Sequence, residues 1–169
     1  MVGLKELPHN NIFHLYLGRF DNTMKIKYIR DGRAPIPKNE VTSIVMSANI
    51  AKDTKPEIAL RKALWQAGIR GYRLHWENVP GRPDIVFTKR KVAIFVNGCF
   101  WHRCPHCKLP LPKSNKMFWQ QKFNRNIERD KKKTNLLKKA GWKVITIWEC
   151  ELKKNILSTL KTIKKALIK

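Results

Sequence analysis

Four cysteines stand at positions 99, 104, 107 and 150, and one aspartate, Asp84, follows Pro83 at the mouth of an apolar run. These are residue types that hold metal. Cys104-Pro105-His106-Cys107 has the C-x-x-C spacing that lets two thiolates share one tetrahedral ion. Cys99 lies five residues upstream, and Cys150 follows the apolar run Trp142–Trp148, whose end can bring it to the loop. All four thiols then make a structural zinc site. His106 in place of Cys104, or four unligated thiols, are the alternatives, and no thioredoxin-like β-α-β unit favours a redox pair. Asp84 is of a different kind. Cleaving a phosphodiester needs a nucleophilic water and relief of phosphate charge, and a divalent metal held by carboxylates supplies both. An isolated Pro-Asp is also an ordinary turn or cap aspartate. His102 lies in the cysteine loop. Four thiolates complete a closed zinc shell, which leaves His102 free to accept a proton from water, a spare ligand being the other reading.

The elements that must carry these residues are legible in outline. Asp53 or Thr54 can cap a helix whose first turn contains Glu57, and Ile58, Leu60, Ala63, Leu64 and Ala67 follow at helical spacing up to Gly68. Tyr72–Trp76 reads as a strand. Asp84–Thr88 and Val92–Asn97, joined by Lys89-Arg90-Lys91, read as a hairpin. A Cys/His/Pro loop spans 98–113. Ser114 can cap a long helix to about Ala140, closed by Gly141. Trp142–Trp148 reads as a buried strand, and 152–168 as a last helix with Ile156, Leu160, Ile163 and Leu167 on one face. The order is α-β-β-β-α-β-α, an α/β fold. On the long helix Trp119, Phe123, Asn126 and Asp130 share a face, so Asp130 can reach the same cleft as Trp119 or form a salt bridge with Arg129 or a lysine.

Charge narrows the partner. The chain of 169 residues carries a net charge of +24, which suits a polyanion, a solvated lysine-rich surface being the plainer reading. Residues 1–45 hold seven Lys/Arg and four Asp/Glu; the other 29 basic and eight acidic residues lie in 46–169. We therefore divide the chain into an N-terminal extension, 1–45, with two short strands and the linker RDGRAPIPKNE, and a main domain, 46–169. No apolar stretch is long enough to span a membrane, and the first residues lack the apolar run of a signal peptide. Clustered cysteines point to a reducing compartment, and a DNA partner to a cytoplasmic, nucleoid-associated protein.

Pro83-Asp84 entering a hairpin after a helix bearing Glu57 resembles the restriction-endonuclease-like core, a mixed sheet flanked by helices. The Glu-x-Lys usual on that superfamily's next strand is replaced here by Val96-Asn97-Gly98. Several strings together resemble the very-short-patch-repair (Vsr) mismatch endonuclease family: Asp53–Glu57, Pro80–Asp84, Ile94–His102 with its Gly-Cys-Phe-Trp-His, Phe118-Trp119, Asn126–Asp130, and Gly141–Cys150 ending in Trp-Glu-Cys. The resemblance covers about residues 46–151. It implies a nick in double-stranded DNA beside a T·G mismatch, magnesium at Asp84 with the Val96 carbonyl as a further ligand, and a structural zinc. It implies His102 as the water-activating base, Asp130 as a support of the active site and Glu57 near the metal. Phe100, Trp101 and Trp119 would wedge into the base stack, with Met46 also on the DNA; three aromatics beside a zinc loop are otherwise core. Asn97 stands where the family commonly has a histidine, and it can donate a hydrogen bond but hold no proton for the leaving oxygen. The loop from Cys99 to Cys107 is one residue longer than in the mismatch enzymes and offers Cys104 where a histidine might ligate. The rival expectations are a homing or restriction-associated endonuclease on the same core, without mismatch specificity, and a zinc DNA-binding module without catalysis.

Overall fold

The computed structural model describes residues 36–37 and 39–168. The two strands expected before residue 30, and most of the linker, lie outside the described residues. The elements are α1 (Glu40–Ser47), α2 (Lys55–Gln66), β1 (Arg73–Leu74), β2 (Ile85–Phe87), β3 (Val92–Asn97), α3 (Lys116–Lys139), β4 (Lys143–Trp148) and α4 (Glu149–Ile168). The order from α2 onward is the expected one. Helix α1 was not expected; it is capped by Asn39, whose Oδ1 accepts from the Thr42 N–H at 2.9 Å.

Four strands form one mixed sheet in the order β1-β2-β3-β4. The first three pair antiparallel, and β3 pairs parallel with β4, from Val92 against Lys143 to Asn97 against Trp148. Helix α3 makes the crossover that a parallel pair requires. Strand alternation then sorts the core into two faces. Ile85, Phe87, Val92, Ile94, Val96 and Ile147 pack against Leu60 and Leu64 of α2 and Leu160 and Ile163 of α4. Val86 and Ala93 turn the other way, onto Leu137 of α3, with Trp76, Phe95, Trp142 and Val144 around them. Sheet and helices thus form three layers.

Several expectations are corrected in detail. Strand β1 shrinks to two residues, because His75 takes a left-handed conformation (φ 45°) that ends it. The N-cap of α3 is Asn115, left-handed at φ 52° and without a capping side-chain bond, rather than Ser114. In β4 only Ile147 is fully buried, since the strand lies at the sheet edge. Helix α4 starts three residues early and breaks at Asn155 (φ −160°, ψ 90°), whose Oδ1 accepts from the Ser158 N–H at 3.0 Å and caps the second segment.

Candidate active site and thiolate centre

Asp84 sits where β2 begins, after the turn Gly81-Arg82-Pro83. Gly81 (φ 84°) and Arg82 (φ 48°) are both left-handed, and Pro83 is fully buried, which pins the approach to the strand. The Asp84 carboxylate turns onto β3, where Oδ2 accepts from the Val96 N–H at 2.7 Å. The Val96 backbone therefore lies against Asp84, as a shared metal position requires. Burial pushes the Asp84 carboxyl up to about 6, and the nearby Glu57 charge adds to the rise while the Val96 N–H opposes it.

Glu57 is 4% exposed at the third position of α2. It accepts from the Thr54 hydroxyl at 2.6 Å and from the Asp53 N–H at 3.1 Å, so it is fixed by the helix start it stabilises. Asp53 is fixed in turn by Arg61 at 2.7 Å. Sequence reasoning missed the residue at the centre of this group. The His75 ring has Nδ1 3.9 Å from Asp84 Oδ1, and Nε2 3.7 Å from both Glu57 Oε2 and Asp53 Oδ1. Those distances exceed a hydrogen bond, and Nε2 is buried with no hydrogen-bond partner. Ligand atoms of Asp53, Glu57 and His75 all lie within 4.8 Å of one another. Two ligands of one cation, each bound at ~2.1 Å, stand ~3.0–3.6 Å apart, so a carboxylate group around an orphaned ring nitrogen fits a divalent cation. The only advance signal was a histidine among Arg73, Leu74 and Trp76, and a lone strand histidine carries little information.

The second group is built on α3. His102 Nδ1 is 2.5 Å from Asp130 Oδ2. One turn earlier, Asn126 Nδ2 donates to the Trp101 carbonyl at 2.9 Å, and Arg129 holds Asn126 Oδ1 at 2.9 Å. Arg129 thus partners Asn126, and among the described residues Asp130 pairs with the histidine and with no lysine or arginine. The loop helps: the His102 N–H donates to the Gly98 carbonyl and the Cys104 N–H to the Cys99 carbonyl, coiling 98–104 tightly. A carboxylate on Nδ1 fixes the ring and leaves Nε2 as the acceptor of a proton. Asn97, half-buried, ends β3 opposite Trp148, one residue before this coil. Among the described residues no hydrogen bond or ion pair links the Asp84 group to the His102–Asp130 pair.

The four thiols converge. Sγ atoms of Cys99, Cys104, Cys107 and Cys150 lie within 4.8 Å of one another, and Cys104 and Cys150 are 3.7 Å apart. Thiolates bound to zinc at ~2.3 Å stand ~3.8 Å apart at tetrahedral angles, so the spacing suits that ion. None is in a disulfide. His106 is exposed and faces Glu151 at 3.8 Å, outside the cluster. Burial and the neighbouring thiols push Cys99 up, and burial likewise pushes up Cys150. For Cys104 burial is outweighed by the Cys107 and His106 N–H groups, which hold its thiol below the usual value.

Phe100, Trp101 and Trp119 join Phe118 and Phe123 in one aromatic cluster, with Phe100 5.1 Å from Trp101, 5.4 Å from Trp119 and 5.2 Å from Phe123. Trp119 is only 8% exposed and belongs to the core in this conformation, while Phe100 and Trp101 are half-buried. The Lys122 ammonium lies over Trp101, Phe118 and Trp119 at 5.5, 5.5 and 6.0 Å. Met46 is half-buried in the last turn of α1. No described helix is long and apolar enough to cross a membrane.

With this geometry in hand, residues 36–109 match the family model described as DNA mismatch endonuclease Vsr. The chain is 46% identical over 126 residues to the type II nicking enzyme V.NaeI of Lentzea aerocolonigenes, covering 71% of this chain and 74% of that protein. It is 47% identical over 111 residues to the type II nicking enzyme V.NmeAIP of Neisseria meningitidis, covering 66% and 79%. It is also 38% identical over 109 residues to the DNA mismatch endonuclease Vsr of Escherichia coli, covering 64% and 69%.

Proposed function

The chain belongs to the Vsr DNA mismatch endonuclease family, and from that premise we propose that it nicks one strand of double-stranded DNA beside a T·G mismatch, using a divalent cation at Asp84 and a structural zinc. It is a DNA endonuclease, which sets aside a purely DNA-binding role. Magnesium at the Asp84 group and a restriction-endonuclease-like reading of the three-layer fold belong to the proposal. So do the extension–domain boundary near residue 45 and a cytoplasmic, nucleoid-associated location.

The observation that carries the mechanism is the His102–Asp130 pair at 2.5 Å. Asp84, with Glu57 and His75 beside it and the Val96 carbonyl as a further ligand, would hold the cation. When bound, that cation supplies charge relief on the phosphate and a more acidic water. His102 Nε2 accepts the proton of the attacking water, and Asp130 steadies the imidazolium that forms. Asn97 donates a hydrogen bond toward the leaving oxygen without supplying a proton. The thiolate centre fixes the loop that carries His102, and lysines and arginines grip phosphates. Phe100 and Trp101 enter the base stack at a weakened pair, where unstacking costs least. Trp119 backs them and follows when the cluster opens, and Met46 contacts the duplex.

A second reading, nicking without mismatch preference, is favoured by Asn97 and by the type II nicking enzymes among the relatives. Nicking of matched and T·G duplexes of one sequence, with and without magnesium, decides. Metal-dependent nicking confined to the T·G duplex is the expected result, and equal nicking of both would replace the first reading by the second.

A further inference from the structure

Helix α3 presents a third residue on the face that grips the loop. Asn126 and Asp130 are one turn apart, and Lys133 follows at the next inward position of the same stripe. Lys133 is half-buried, whereas Lys131 and Lys132 beside it are exposed. Its stem runs over Gly81: a Cβ built there would lie 2.9 Å from Lys133 Cβ, 2.8 Å from Cγ and 3.1 Å from Cδ. The glycine is therefore required twice, for its left-handed backbone and for the space the lysine fills, and it stands three residues before Asp84. The aliphatic stem is thereby directed along the turn that delivers the carboxylate.

Lys133 forms no hydrogen bond or ion pair with any described residue, so the ammonium at the end of that stem is not consumed by a carboxylate. Strand β3 offers no cation here, its end being Val96-Asn97-Gly98. A phosphodiester undergoing hydrolysis gains negative charge on its oxygens, and an unconsumed ammonium whose stem crosses the turn leading to Asp84 is a group that can answer it.

We propose that Lys133 is a catalytic residue that contacts the scissile phosphate, delivered from α3 across Gly81 to the neighbourhood of Asp84. This rests on the nuclease reading above, so the test has one arm that depends on nicking and one that does not. Lys133→Gln keeps the stem over Gly81 and removes the charge; Lys133→Arg restores a charge. Single-turnover nicking at saturating protein should fall roughly 30-fold or more in the Gln variant, within the range for losing a positioned transition-state group, and recover substantially in the Arg variant, with thermal midpoints unchanged. Independently, metal-free binding of the same duplex should lose about one unit of its log–log salt slope in the Gln variant, as for one phosphate contact. A Gln variant with wild-type rate and wild-type slope overturns the proposal, as does an equal loss of midpoint and rate in both variants, which would make Lys133 a packing residue. A wild-type protein that nicks no duplex would overturn the function while the salt slope still decides the contact.

Discussion

His102 and Asp130 are 28 residues apart in sequence, and Nδ1 of one meets Oδ2 of the other at 2.5 Å. One belongs to a coiled loop after β3 and the other to the middle of α3, so the pair exists only when the α3 face is docked on the loop. A ring held this way by a carboxylate is oriented for proton transfer at its other nitrogen.

His102→Ala should slow single-turnover nicking by roughly 10²-fold or more and leave zinc content unchanged, because the four thiols stand together without it. Asp130→Asn should give a smaller loss of the same kind. Zinc lost together with activity in His102→Ala would move His102 into the structural site.

Asp84→Ala or Asp84→Asn should abolish nicking while preserving the fold and duplex binding. The folded protein keeps a proton on Asp84 up to about pH 6, against an ordinary value of 3.8. Between those values the folded state binds more protons than the unfolded one, so stability of the metal-free protein falls as pH rises through that window, by an amount on the order of 2–3 kcal/mol, and then levels. Asp84→Asn should remove this slope. Affinity for magnesium should run the other way, rising roughly tenfold per pH unit below 6 as the competing proton leaves. Thermal unfolding and calorimetry across pH 4–8 measure both, and a flat profile in the wild type would remove the buried-carboxyl account.

Purified protein should contain about one zinc per chain. Cys150→Ser should lower both zinc content and thermal stability, since Cys150 lies in the first turn of α4 and its partners belong to the loop before α3. Elemental analysis beside a melting curve checks this; zinc-free protein with unaltered stability would contradict it.

Duplex affinity should fall steeply with salt, each phosphate contact adding about −0.9 to the log–log slope. The 29 basic residues of 46–169 supply several such contacts. Binding titrations from low to moderate salt measure it, and a flat response would mean that the lysines face solvent.

Much of this was legible before any coordinates. Glu57 was marked by its place in a helix start, Asp84 by its place before an apolar hairpin, and the thiols by spacing. Asp130 was marked by sharing a helical stripe with Trp119 and Phe123. Periodicity could not say whether Asp130 meets Arg129 or His102, because that depends on a loop arriving from another element. His75 and Asp53 were illegible for a related reason: each becomes informative only through neighbours distant in sequence, and the left-handed backbone at His75 has no compositional mark. The break in α4 was hidden by an unbroken apolar stripe, although Asn155 followed by Ser158 is a capping pattern. The spacing of Trp119 left two readings open, a base-stack wedge and a core residue, because only packing shows that it lies on Phe100 and Phe123.

The α3 face also works as a ruler. Asn126 sets the height of the Trp101 carbonyl, Asp130 that of the His102 ring, and Lys133 lies over Gly81. With 3.6 residues per turn and 1.5 Å per residue, one residue inserted after Asn126 would swing everything downstream by about 100° and disengage the base and the lysine together. Four inserted residues would nearly restore the angle but shift both by about 6 Å, beyond the reach of a hydrogen bond. The aromatic loop, the His102 ring and Lys133 are thus indexed to one another by the integer count of residues along a single helix, and the geometry depends more tightly on chain length in this segment than on side-chain identity on its solvent face.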